Sequence, residues 1–264
     1  MKTKSIQASL LLAVPDSKTV GDVTLLDRTM DHDDALVHDA LCVLQAPTGL
    51  TRLSEMLAAA ELRTQRGSAF HPIELRRVID RLLAAGHIER DLQGRLSASS
   101  PHGEARWCEL MRDPKQAKAW FDAWRRLTNF ERSYSLGFQE EAQLAAAMRL
   151  VIFGGGSSSD LERLNKLAYT FGPLWSSALR RAVLQPFDAE LFGRIEPVLQ
   201  AALADQMMMT VSGFAETLGK PLEDWLLARA SSAPATVSPG LRCRLAETLL
   251  FRGEFAAARA LCAK

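Results

Sequence analysis

The sequence predicts a mainly α protein: three helices closed by a small β-hairpin, followed by an all-helical region. Three observations predict it. Apolar residues recur at helical spacing through most of the 264 residues. The pattern breaks at residues 87–97, where two short strand-like runs flank the turn Asp91-Leu92-Gln93-Gly94. Glycine and proline fall at the ends of the periodic runs, as at Ala46-Pro47-Thr48-Gly49 and Gly86. The hydrophobic content of 47% and charged content of 24% are those of an ordinary globular protein. No apolar run approaches the roughly 18 residues that a membrane span needs.

Residues 1–32 read as an N-terminal extension. SIQASLLLAV and TVGDVTLL suggest a hairpin turning at Pro15-Asp16-Ser17. Lys2 and Lys4 ahead of an apolar stretch imitate a signal peptide, but the stretch is short and no small-x-small cleavage site follows. Four widely spaced cysteines (Cys42, Cys108, Cys243 and Cys262) form no metal or disulfide framework. Reduced thiols in a cytoplasmic protein are therefore expected. Asp31-His32-Asp33-Asp34 could ligate a metal, yet acidic residues at a helix start, capping it and facing its dipole, account for them better.

Residues 33–100 organise the chain. A first helix is expected over 34–44, with Leu36, Val37, Ala40, Leu41 and Leu44 as its apolar stripe. Thr51 is expected to cap a second helix that buries Leu53, Met56 and Leu57. After the basic break Arg63-Thr64-Gln65-Arg66-Gly67-Ser68, Pro72 opens a third helix over 72–85. Its buried stripe is Leu75, Val78, Ile79, Leu82 and Leu83, which leaves Glu74, Arg77 and Arg81 opposite and Arg76 and Asp80 at the flanks. Gly86 ends it as a left-handed cap.

The run Leu82-Leu83-Ala84-Ala85-Gly86-His87-Ile88-Glu89-Arg90 joins a leucine-rich helix end, a glycine cap and a first strand. In this order of elements it resembles the winged-helix family over about a quarter of the chain. The resemblance implies a recognition helix at 72–85, a wing at 91–94 and double-stranded DNA as partner. Arg76, Arg77 and Arg81 would then reach base edges or phosphates, since guanidinium forks suit both. Arg63 and Arg66 would hold the backbone beside the helix, and Arg90 and Arg95 would approach from the wing. Residues 35–100 nevertheless carry eight arginines against seven carboxylates, a weak footprint for a DNA reader. Such domains also dock proteins, so a protein partner or a downstream domain of the same polypeptide stays open.

A helical domain is expected over 101–230. Trp120, Phe121 and Trp124 recur at helical spacing; they read as core, with a single-strand stacking platform as the alternative beside Arg125-Arg126. Gly154-Gly155-Gly156-Ser157-Ser158-Ser159 matches neither phosphate-loop spacing, and a helix stop followed by a Ser158 or Ser159 cap explains it. Further helices are expected over 160–171, 173–184, 188–204, 206–218 and 221–230. Met207-Met208-Met209 reads as gap-filling core.

Residues 231–240 read as a linker. Residues 241–264, with Gly253, Phe255 and Ala258 about a turn, resemble a tetratricopeptide-type hairpin. Taken together, these features resemble the region N-terminal to the motor of certain bacterial Swi/Snf-type helicases. That resemblance implies an ATPase motor beyond Lys264 and an accessory role for these residues. No catalytic motif assembles and none of the five histidines has ligand spacing, so neither enzyme activity nor a cofactor is expected.

Overall fold

A helix that is buried on nearly every side sits at the centre of the N-terminal part. In α1 (His32–Leu44) the run from Val37 to Val43 is buried without interruption. A helix of this kind must be surrounded by others rather than laid on a surface. The computed structural model of the chain describes residues 30–100, 102–138, 140–211, 220–232 and 237–263. The hairpin expected within residues 1–32 lies outside the described residues. The chain is mainly α, with thirteen α-helices and one two-stranded sheet among the described residues.

Around α1 pack α2 (Leu50–Ala59) and α3 (Pro72–Ala84). Gly49, not Thr51, occupies the cap position of α2, because the Gly49 carbonyl takes the first helical bond from the Leu53 amide (3.0 Å). Thr48 is drawn away to pair with Leu96 in an isolated antiparallel bridge. Helix α3 buries Leu75, Val78, Ile79 and Leu82, each contributing about 1.5–3 kcal/mol by removal from water. Gly86 ends the helix with φ of +74°, and the amides of Gly86 and His87 close on the carbonyls of Leu83 and Leu82. Strands β1 (Ile88–Arg90) and β2 (Leu96–Ala98) then pair with Arg90 opposite Leu96.

Helix α4 (His102–Arg112) is fastened to α1 by a two-pronged pair, Arg106 Nε and Nη2 to the Asp39 carboxylate at 2.7 and 3.1 Å. Helix α5 (Pro114–Thr128) buries Trp120, Phe121 and Trp124, so these rings are core. Helix α6 (Glu141–Phe153) is buried from Leu144 to Ile152 and forms a second centre. Its one charged buried residue, Arg149, pairs with Glu104 of α4 at 2.8 and 2.5 Å and lies 3.8 Å over the Trp107 ring. The glycine loop that follows is shaped by packing. A Cβ on Gly154 would stand 2.8 Å from Cβ of Phe121, and one on Gly156 would stand 3.2 Å from its ring. Ser157, rather than Ser158 or Ser159, caps α7 (Ser158–Leu167). Asp160 returns its carboxylate to the Ser157 amide at 2.8 Å, where a phosphate would otherwise sit.

A 3-10 turn (Tyr169–Leu174) absorbs Pro173 before α8 (Trp175–Leu184). The helix expected over 188–204 is divided into α9 (Ala189–Gly193) and α10 (Pro197–Val211). Pro197 starts a new helix there, with Glu196 accepting from the amides of Val198 and Leu199, and α10 runs on through the break expected at residue 205. Met207 and Met208 are buried. After α11 (Lys220–Ser232), α12 (Pro239–Phe251) and α13 (Phe255–Cys262) form a helical hairpin turned at Gly253. Ser238 caps α12, so this helix begins inside the stretch read as linker. Arg252 carries a two-pronged pair to Glu223, which is only 1% exposed and belongs to α11. Buried apolar side chains run continuously from α1 to α13. No helix among the described residues is long and apolar enough to cross a membrane.

Candidate nucleic-acid interface

The stripe that buries one side of α3 turns Pro72, Ile73, Arg76, Arg77, Asp80 and Arg81 outward. Arg76 and Arg77 are exposed, and among the described residues no carboxylate or hydrogen-bond acceptor holds either guanidinium. Glu74 does not neutralise Arg77. Its carboxylate turns back to accept from the His71 amide at 3.4 Å, at the start of the helix.

The basic break is a built turn. Thr64 is buried, its amide donates to the Ser68 carbonyl (2.8 Å), and Gly67 closes the turn with φ of +79°. The Gln65 amide donates to Asp33 at 2.7 Å, which fastens the turn to the first turn of α1. Arg63 and Arg66 project from it, exposed and unpaired among the described residues.

The remaining three expected contacts are spent to different degrees. Arg81 grips Asp34 through Nε at 3.2 and 3.1 Å and through Nη2, which binds α3 to the start of α1. Asp34 is 12% exposed at its side chain and Arg81 49%, so the pair is half-sheltered. Asp33 and Asp34 thus both have protein partners, and Asp31 takes the cap position of α1 without a side-chain bond to the helix amides. Arg95 is held by Asp91 (2.7 Å), Glu140 (3.2 Å) and Gln93 (3.0 Å). Arg90 is exposed, with Asp80 of α3 4.0 Å away.

Asp91 shapes the hairpin turn. Its Oδ1 accepts from the amides of Gln93 (2.9 Å) and Arg95 (2.8 Å), and Gly94 takes φ of +77°. Desolvation works against ionisation here, but the Arg95 hydrogen bonds outweigh it and hold the Asp91 carboxyl below the usual carboxylate range. The hairpin turn beyond Asp91 carries no charge, with Leu92 wholly exposed at its tip.

A groove of about 290 Å³ runs between α3 and the β-hairpin, lined by Leu50, Arg76, Ile79, Asp80, Arg90, Gly94 and Leu96. The fold thus brings Arg76 and Arg90 to one groove and leaves Arg63, Arg66 and Arg77 open beside α3. Two large apolar residues of the same surface, Ile73 (68% exposed) and Leu92, escape a reading from sequence. The available signal is positional: Ile73 falls outside the stripe at 75, 78, 79 and 82, and Leu92 sits in a turn where no apolar residue is required. Among the described residues no group of three or more His, Cys, Asp or Glu side chains is arranged to hold a metal. Comparison with protein-family models, with curated proteins and with solved structures found no match to this chain.

Proposed function

We propose that residues 33–100 form a winged-helix module that binds duplex DNA. The whole chain would then serve as a non-catalytic, accessory part of a larger DNA-processing protein, of which a Swi/Snf-type helicase is the model. The observation that carries this reading is the set Arg63, Arg66, Arg76 and Arg77, exposed and without an ion pair among the described residues, of which Arg76 shares the α3–wing groove with Arg90. An unpaired guanidinium needs no internal ion pair broken before it meets a phosphate or a guanine edge. The order of helices and hairpin supports the winged-helix reading, as does the Thr48–Leu96 bridge that ties the α1–α2 connection to the hairpin.

Fluorescence anisotropy with a short labelled duplex tests the proposal. Exchanging all four free arginines for alanine is expected to weaken binding about tenfold or more at moderate salt. A quadruple variant that binds as the parent does would overturn it.

The exposed Ile73 and Leu92 favour a second reading, in which the same surface docks a protein or a downstream domain of the same polypeptide. In that case the parent would show no duplex affinity at low salt. Ile73→Asp with Leu92→Asp, rather than the arginine variant, would release the partner.

A further inference from the structure

We propose that a cavity between the hairpin module and helices α5 and α6 is a binding site for a small monocarboxylate with an apolar body. The cavity measures about 450 Å³, within the range of about 300–1,000 Å³ typical of small-molecule sites. Val43, Leu44, Trp124, Leu136 and Leu150 contribute its apolar walls.

The polar groups of the lining narrow the chemistry. Thr48 Oγ1 donates to the Ala46 carbonyl (2.7 Å), Thr128 Oγ1 to that of Trp124 (2.8 Å) and Ser133 Oγ to that of Thr128 (2.9 Å). The protons of these three hydroxyls are thus committed to backbone, and the fourth lining hydroxyl, Ser135, is exposed. Arg95 reaches the same cavity, but its charge is shared between Asp91 and Glu140. Arg52 is the lining cation left open: it forms no ion pair among the described residues. Its side chain retains access to solvent, yet the surrounding protein desolvates the guanidinium and lowers its pKa, with Glu55 one turn away offsetting part of the effect.

The open guanidinium of Arg52, beside the apolar walls of Val43, Leu44, Trp124, Leu136 and Leu150, is complementary to one carboxylate attached to a hydrocarbon body. A neutral polar ligand would leave Arg52 unanswered. The site is independent of the DNA-binding surface: Arg63, Arg66, Arg76 and Arg77 do not line it.

Calorimetric titration of the full chain with octanoate and with 1-octanol tests the assignment. Octanoate is expected to bind at one site per chain, and octanol about tenfold more weakly or worse. Arg52→Gln should bring octanoate down to the octanol level while leaving octanol unchanged. Ala146→Leu, which narrows the cavity, should weaken both. Should that variant fail to fold, quenching of Trp124 by 8-bromooctanoate, lost on Trp124→Phe, reports occupancy of the same wall. No binding of octanoate at millimolar concentration, equal affinity for octanol, or indifference to Arg52→Gln would each overturn the proposal.

Discussion

The α3–wing surface and the interfaces among the later helices both depend on arginine, and they use it in opposite ways. In the later helices, Arg106, Arg149 and Arg252 are two-pronged clamps, each closed on a carboxylate of another helix. Arg163 does the same with backbone, donating to the carbonyls of Phe130 (2.9 Å) and Glu131 (2.6 Å). Around α3, by contrast, Arg63, Arg66, Arg76 and Arg77 stand in solvent without partners among the described residues. A buried clamp fixes one packing arrangement, and losing one partner strands the other's charge. An exposed arginine adds little to stability and keeps its hydrogen-bonding capacity for another molecule. Near-neutral net charge therefore conceals an uneven division of labour, and counting charges along 35–100 undervalues the surface.

The largest effect that sharpens this contrast belongs to the clamps. Arg252→Ala leaves Glu223 buried without a counter-ion and is expected to cost about 3–5 kcal/mol in urea unfolding. Replacing both partners with leucine should recover most of that loss. If Arg252→Ala is neutral, the clamp has no structural weight.

On the other side, Arg76→Ala combined with Arg77→Ala should weaken duplex binding by about 1–3 kcal/mol. It should also leave unfolding stability within about 0.5 kcal/mol of the parent. Arg81 lies between the two classes, on the same helix but half-sheltered against Asp34. Arg81→Ala is expected to cost about 1 kcal/mol of stability, a figure already reduced for solvent screening, and to change DNA affinity less than the double variant does. A DNA effect from Arg81 larger than that from Arg76 and Arg77 together would place the contact surface elsewhere.

The smallest effect concerns the thiols. Burial, followed by the charge of Glu104, pushes the Cys108 thiol up to about 12, and burial together with Asp39 raises Cys42 as well. Both keep their protons in the folded protein but titrate near 9 when unfolded, so they contribute a loss of stability as pH rises past that value. A thiol reagent near pH 8 should label Cys243 and Cys262 promptly and reach Cys42 and Cys108 only on unfolding.

Signals that act over a few residues were legible in the sequence. Pro72 and Gly86 bound α3, the 75, 78, 79 and 82 stripe is its buried side, and the hairpin turns at residues 91–94. The burial of Trp120, Phe121 and Trp124 follows from their spacing in the same way. Illegible were features decided by residues distant in the chain. Nothing local to Arg81 says that Asp34 will claim it, nor that Glu140 will share Arg95. At Gly154 and Gly156 the carbonyls of Leu150 and Val151 already crowd a Cβ locally, but the approach of Phe121 from another helix could not be read from the loop itself. The division at residues 194–196 was signalled locally by Gly193 and Pro197 and masked by an apolar pattern that continues across them. The cavity beside Arg52 has no sequence signature, since its walls come from helices far apart in the chain.

The salt dependence of duplex binding tests the central claim most directly, because it counts the phosphates that the proposal has the free arginines neutralise. With four such contacts the slope of log K against log salt is expected near −3.5, becoming shallower by about 2 when Arg76 and Arg77 are removed. A parent that shows no measurable duplex binding even at low salt, or a slope that the double variant leaves unchanged, would contradict the assignment of α3 and its flanking turn to DNA.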